Sequence, residues 1–344
     1  MPGPHRLTVR EIAVLVGGQV EGPADSALAG IAPLDRAGPT DLSFLASGRY
    51  LQYFQRTSAG AVLLSPEFRT VRGGPASRIL VEDPHRALAR LVPEWFGTPE
   101  MAWGVHASAQ VARGARWQGR VAIGPGACIG TAVELGADCR VDAFAMIGNR
   151  CRLGDGCHIE SHATLEDGTE LGRGVRVRRG ARVGGPGFGF IQIHESHERI
   201  PPVGRCVLHD GVEIGANSTL DRGSVSDTVI GAGTKIDSLV HIGHNVRIGS
   251  RCLIMAQVGI AGSTIVEDDV ILAGQAGLAG HLRVGARARV GAQAGVIGDV
   301  AAGETVSGYP ARPHREVLRQ VAALKRLAPL VKHLEEVPRR DVGR

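Results

Sequence analysis

From Val105 to Val183 every sixth residue is aliphatic, with Trp117 the one departure. The pattern stops, resumes at Leu208, Ile214 and Leu220, slips once, and then runs unbroken from Ile230 to Val296. A spacing of six fits neither the 3.6-residue period of an amphipathic helix nor the alternation of a flat strand. It is the hexapeptide signature of a parallel β-helix, where each hexad supplies one short strand and one corner and three hexads close a triangular coil. The aliphatic side chains then fill the axis. Many are followed by Gly, as in Ile123-Gly124, Ile214-Gly215 and Ile248-Gly249, and a glycine there is expected to let the backbone turn without steric cost. The predicted fold is mainly β: a left-handed parallel β-helix over residues 101–308, a small α/β domain over 1–100, and a C-terminal helical extension over 309–344.

Outside the hexad the chain changes character. Thr8 and Glu11 match a capping box opening a short helix, strand-like runs follow at 61–64 and 78–81, and helical spacing returns from Pro84 to Glu94. The interruption at 185–207 contains Gly185-Pro186-Gly187-Phe188-Gly189-Phe190 and is expected to leave the coil as a loop. Beyond Tyr309-Pro310, Val317, Leu318, Val321, Leu324 and Leu327 form one apolar face beside Arg315, Arg319, Lys325 and Arg326. Pro329 is expected to bend or break this helix. The flat sides of a triangular prism invite packing of copies side by side, and the closed cyclic arrangement is a homotrimer. Clefts between prisms are then natural ligand sites.

A net charge of +5 favours acidic partners. Nucleic acid is not among the expected ones, because seven Phe, three Tyr and three Trp offer little base stacking and no nucleic-acid motif is present. The six cysteines form no CxxC pair and suit small wall residues of the coil. No signal-type segment opens the chain, and no apolar stretch approaches the ~20 residues of a membrane span. A cytoplasmic protein is expected.

Function must come from polar residues the scaffold does not need. The densest cluster runs from Asp237 to Asn245. His244 lies two positions after the axial Ile242, and the equivalent positions one and two coils on are Gly262 and Gly280, the latter followed by His281. These residues should stack on one face, about 5 Å apart per coil. An imidazole that can take a proton at neutral pH, beside a glycine amide that can hold an oxyanion, suits acyl transfer. A three-histidine zinc site at 241, 244 and 281 is disfavoured, because residues 241 and 244 are three apart on a period of six and should face different ways. No metal and no bound cofactor are expected. A scaffold that only binds a nucleotide sugar is the competing class.

Several motifs together resemble one family. They are Asp41-Leu42-Ser43-Phe44-Leu45, Gly187-Phe188-Gly189-Phe190, Ile200-Pro201, Asp221-Arg222-Gly223, Lys235-Ile236-Asp237, His244-Asn245, Gln257 to Ser263, Gly274 to His281 and Ser307-Gly308-Tyr309-Pro310-Ala311. In combination they are similar to the UDP-3-O-acylglucosamine N-acyltransferases of lipid A biosynthesis, over nearly the whole chain. The resemblance implies a homotrimer that moves an (R)-3-hydroxyacyl group to the 2-amine of UDP-3-O-(3-hydroxyacyl)glucosamine. The donor is the phosphopantetheine arm of acyl carrier protein, met by the basic C-terminal helix. It implies His244 as general base, Gly262 as oxyanion donor, His281 as a contact to the nucleotide sugar, and Asp237 as a residue placing the sugar or the base.

In that family the first domain holds uracil between aromatics with an asparagine among them. The matching positions here are Phe44, Ser47 and Tyr50, with serine in place of asparagine. Pro186, Pro202 and Ser238 also depart from the pattern. His241 and Gly243 replace the usual Gln and Ala, a lean toward the sister O-acyltransferase acting on UDP-N-acetylglucosamine. That enzyme, which lacks this first domain and the Gly-Phe-Gly-Phe segment, is the alternative reading.

Overall fold

The computed structural model describes residues 6–97 and 102–336, except the side chains of 328–330 and 332–336. The chain divides into two compact units, Met1–Met101 and Ala102–Arg344.

In the first unit, α1 (Val9–Val16) opens on the expected capping box. Thr8 Oγ1 accepts from the Glu11 N–H while the Glu11 carboxylate accepts from the Thr8 N–H at 2.7 Å. A five-stranded sheet runs in the order Gln19–Glu21, Ser77–Leu80, Ala61–Leu64, Asp41–Leu45, Gly30–Ile31, with the first pairing antiparallel and the rest parallel. α2 (Leu51–Arg56) follows Phe44 in the chain, and α3 (Pro84–Phe96) ends two residues later than its spacing predicts. Ile12, Leu91 and Trp95 of the helices bury against Leu42, Leu63 and Ile79 of the sheet.

The second unit is a left-handed parallel β-helix. Its strands form three faces, with sheets of nine, ten and twelve strands. Pairing at +18 residues is in register, as for His241↔Gly259 and Ile242↔Ile260, so each axial residue stacks on its equivalent. The axis from Ile123 to Val306 is one continuous buried cluster. Each buried Ile, Leu or Val contributes about 1.5–3 kcal/mol, and the hexad therefore dictates the architecture. The cysteines serve as wall residues, with Sγ of Cys139, Cys157 and Cys252 donating to carbonyls of the next coil.

The corners differ from the sequence expectation in one respect. The left-handed residue lies three positions after the axial one, as at Asp138, Asn217, Asn245, Arg251 and Gln257, with φ between 57° and 62°. The glycine directly after the axial residue has no positive φ, apart from Gly184 at the interruption. It is required because the next coil passes too close for a side chain: a Cβ on Gly231 would lie 2.4 Å from the Gly249 carbonyl carbon. Two positions after the axial residue, the turn N–H points toward the next coil. There an Asp or Asn accepts it, as for Thr131 to Asn149, Ala137 to Asp155, Arg173 to Asp210 and Ser250 to Asp268, at 2.8–2.9 Å. These side chains tie coil to coil through the corners.

The interruption at 185–207 is more ordered than a loop. Phe190–Ile193 and Ser196–Arg199 form an antiparallel hairpin. Its base packs on the register slip: Val203 N–H donates to Ser224 O at 2.8 Å, and Arg222 Nε to Gly204 O at 2.7 Å. α4 (His314–Glu336) continues through Pro329 instead of ending there. A proline removes one i→i−4 bond, which an otherwise well-bonded helix absorbs locally. Its residues Leu318, Val321, Leu324 and Leu327 are exposed. No helix among the described residues is long and apolar enough to cross a membrane.

Candidate active site

One face of the prism carries the site. Along its ten-stranded sheet the outward column is Gln110, Cys128, Met146, Thr164, Arg182, Thr219, His241, Gly259, Gly277, Gly295. Side chains vanish after His241. Three glycines in register leave a trough of about 580 Å³ whose floor is the strand backbone at Ile260, Leu278 and Val296. His241, His244, Asp221 and Phe188 line one end, and Tyr309 lies on Gly295 at the other.

His244 stands where the coil register places it, stacked on the next coil. A Cβ on Gly262 would lie 2.7 Å from Cε1 and 2.8 Å from Nε2 of the ring, so only glycine fits beneath it. The Gly262 N–H occupies the turn position that several coils satisfy with an Asp or Asn one coil on and others among the described residues, as at Ala216 and Ala256, leave open. Here that residue is Gly280, which has no side chain to accept it. Among the hydrogen bonds of the described residues the Gly262 N–H has no acceptor, while its carbonyl accepts from His281 N–H at 3.2 Å. The site thus presents an unspent backbone donor next to an imidazole.

The tautomer of His244 follows from its neighbours. Asn245 Oδ1 accepts from the Ser224 N–H at 2.8 Å, which can only donate, so the Asn245 amide nitrogen faces His244 Nδ1 at 3.1 Å. Nδ1 is therefore the acceptor, and the neutral ring carries its proton on Nε2. Next to it, His241 Nδ1 lies 2.9 Å from Thr219 Oγ1 and Nε2 lies 3.8 Å from Asp221 Oδ2. The Asp221 side chain is 14% exposed and that of His241 53%. Burial pushes the Asp221 carboxyl up from the ordinary carboxylate range, while positive charge on His241 or His244 would oppose that shift. The inserted segment closes over this pair: a Cβ on Gly187 would lie 3.0 Å from His244 Cβ and 3.2 Å from Asp221 Oδ2. Arg199 Nη1 holds the Gly187 carbonyl at 3.0 Å.

The remaining expected residues are placed differently. His281 is exposed and does not line the trough. Asp237 follows Ile236 on another face, accepts from its own neighbour Ser238 N–H at 2.7 Å, and lines a separate cleft of about 280 Å³ with Arg178, Lys235 and Met255. Within one chain it is not brought to His244. His241 and His244 were expected to face different ways, yet both line the trough. An outward strand residue and the corner residue after it border the same surface depression. Among the described residues no group of three or more His, Cys, Asp or Glu could hold a metal ion. In the first unit, Phe44 and Tyr50 line a cavity of about 390 Å³ with Tyr53, His85 and Asp35. Ser47 is not part of that lining; its Oγ accepts from Arg49 Nε at 3.4 Å.

Asp221, Asn245 and Tyr309 belong to the site although sequence reasoning gave them no role. Their signal was register: Asp221 directly follows the axial Leu220 on the same face as Ile242.

A prism of stacked hexads with a histidine-headed trough on one face defines a hexapeptide-repeat transferase. The family model described as bacterial transferase hexapeptide matches residues 132–167 and 227–262. That of UDP-3-O-(3-hydroxymyristoyl) glucosamine N-acyltransferase, LpxD, matches residues 25–93. A UDP-3-O-acylglucosamine N-acyltransferase of Methylobacterium sp. (strain 4-46) is 41% identical, over 94% of both chains. The one from Granulibacter bethesdensis is 45% identical over 95% of both. The crystal structure of Arabidopsis UDP-N-acetylglucosamine acyltransferase shares the fold, with a TM-score of 0.51 and 23% identity over 70% of this chain and 86% of that one. The chain belongs to the UDP-3-O-acylglucosamine N-acyltransferase family.

Proposed function

We propose that this protein transfers an (R)-3-hydroxyacyl group from the phosphopantetheine thioester of acyl carrier protein to the 2-amine of UDP-3-O-(3-hydroxyacyl)glucosamine. The product is UDP-2,3-diacylglucosamine, an intermediate of lipid A biosynthesis. The observation that carries this reading is the stack of His244 on Gly262 at the head of the glycine trough. The trough suits the linear acyl-pantetheine arm, because the space over Gly259 and Gly277 is open, with Tyr309 closing its far end over Gly295. The amine nitrogen attacks the thioester carbon, and the unspent Gly262 N–H stabilises the oxyanion as it forms. His244 takes a proton from the attacking nitrogen and returns it to the departing sulfur. Because Asn245 holds Nδ1 in the resting ring, proton uptake goes with release of that contact or rotation of the ring.

The aromatic cavity of Phe44, Tyr50 and Tyr53 suits the uracil ring of the acceptor, without a Ser47 contact. Asp237 and His281 can serve the sugar only from a second copy or after movement, which accords with a homotrimer whose clefts complete the site. The basic, exposed α4 suits the acidic carrier, and the reaction then belongs to the cytoplasm. No bound cofactor or metal takes part, since the thioester is already activated. Incubating purified protein with 3-hydroxyacyl carrier protein and either UDP-3-O-acylglucosamine or UDP-N-acetylglucosamine, with product read by mass spectrometry, tests the proposal. Acylation of the first acceptor alone is expected. Transfer to the second alone, or to neither, refutes it.

A further inference from the structure

Resting on the amine acceptor just proposed, we infer that Asp221 is a second catalytic acid–base group: it receives the acceptor as an ammonium ion, takes its first proton and passes it through His241 to solvent. The need for such a group follows from two observations. An amine flanked by electron-withdrawing oxygens titrates near the ~8 of an α-amino group, so it arrives at neutral pH largely as R–NH₃⁺, which is not a nucleophile. His244 in its resting tautomer carries its proton on Nε2 and has Nδ1 bonded to Asn245, so it offers that ammonium a donor instead of an acceptor.

Asp221 supplies what His244 lacks. Its carboxylate borders the same trough, is 14% exposed, and has no Arg or Lys ion pair among the described residues. On the preceding coil Arg182 stands outward beside Thr219, and Gly185 is the residue opposite Asp221. His241 and His244 face it from the next coil. Arg222, the next residue in the chain, is turned to Gly204 O. The inserted segment brings Gly187 against it, and that segment's Arg199 is held on the Gly187 carbonyl. Buried Cys206 lies near enough for the carboxylate to add to the burial that pushes its thiol up to about 12. A carboxylate buried beside no permanent cation is suited to bind one that arrives with the substrate, and burial raises its affinity for a proton.

His241 then forms the exit. Its Nδ1 lies 2.9 Å from Thr219 Oγ1 and its Nε2 3.8 Å from Asp221, and its side chain is 53% exposed; the relay uses the tautomer in which Nδ1–H donates to Thr219 and Nε2 takes the proton. The balance closes. One N–H bond of the ammonium breaks, its proton passing to Asp221, His241 and water. The freed nitrogen pair forms the C–N bond. The second proton goes to His244, the C–S bond breaks, and the leaving thiolate takes that proton. One proton per turnover reaches solvent.

The test is the pH dependence of kcat/KM for Asp221→Asn and His241→Gln, each checked by thermal melting. For Asp221→Asn we expect a loss of roughly 10- to 100-fold at pH 6.5. It should shrink to within about threefold at pH 9, where the amine is already neutral in solution. His241→Gln should show the same shape with a smaller loss. A deficit constant across pH in a folded variant, or no deficit, overturns the inference. If Asp221→Asn fails to fold, Asp221→Glu, which keeps an acceptor, must retain the wild-type profile shape for the inference to stand. Absence of acylation of the amine acceptor by wild-type protein would fail the proposed function first, and is told apart because no variant is needed to see it.

Discussion

The two halves of one face share an axis and differ in everything outside it. From Ile129 to Val183 and from Ile242 to Val296 the inward column is equally aliphatic and equally buried. The outward column carries Gln110, Cys128, Met146, Thr164 and Arg182 in the first half, and Gly259, Gly277 and Gly295 in the second. Both halves bear a depression, of about 670 Å³ and 580 Å³. Volume therefore does not distinguish them; chemistry does. The first is floored by Met146, Thr164 and Arg182, with Asn149 and Asp167 bonded to each other. The second is bare backbone headed by His241, His244 and Asp221. The hexad builds the prism, and the residues it leaves unspecified decide what the prism does.

The largest break in this comparison is expected from His244→Ala. Turnover should fall by roughly 10³-fold or more, since both proton transfer and ring placement are lost, with an unchanged melting temperature because the ring lies outside the axis. Gly262→Ala should come next. Its Cβ would collide with the His244 ring, and a loss of about 10²-fold in kcat is expected from the displaced base and disturbed oxyanion donor. Gly277 has open space around a Cβ, so Gly277→Leu should leave the fold intact and obstruct the trough. A fall of roughly tenfold or more in kcat/KM is expected, while Thr164→Leu on the first half should stay within about twofold of wild type.

Stability sharpens the other side of the contrast. Ile214→Ala, on the axis and away from the trough, should cost about 2–5 kcal/mol in denaturant unfolding with kcat per folded molecule unchanged. The smallest effect belongs to carboxylates that tie one coil to the next, such as Asp227 to Arg205. Asp227 is held below its ordinary pKa by its hydrogen bonds with Arg205. Its contribution is therefore present above the unfolded value near ~4 and is lost as pH falls through the depressed folded value. Asp227→Asn should cost about 1 kcal/mol at pH 7, and the difference from wild type should fade in acid.

The coil was legible because axial burial repeats, and repetition survives local exceptions such as Trp117. The stack of His244, Gly262 and Gly280 was legible for the same reason, since register alone assigns it. What register could not supply was the exterior. The reach of an outward His241 to the corner at His244 depends on how strand and turn splay. The fold of 190–199 into a hairpin, and the approach of Gly187 to Asp221, depend on a non-periodic segment. Even the glycines after axial residues were given the wrong reason: close approach of the next coil requires them, and the left-handed turn falls two residues later. Asp237 lies on another face because it follows its axial residue by one position on a different side of the triangle.

The most direct measurement is hydrogen–deuterium exchange of the whole protein with and without a non-transferable, amide-linked analogue of 3-hydroxyacyl-pantetheine, because backbone amides report occupancy on either half of the face. Protection confined to peptides spanning 241–262 and 277–296 is the predicted result. Protection centred on 146–167, or none at the glycine coils, would contradict the assignment of the trough as the acyl-donor site.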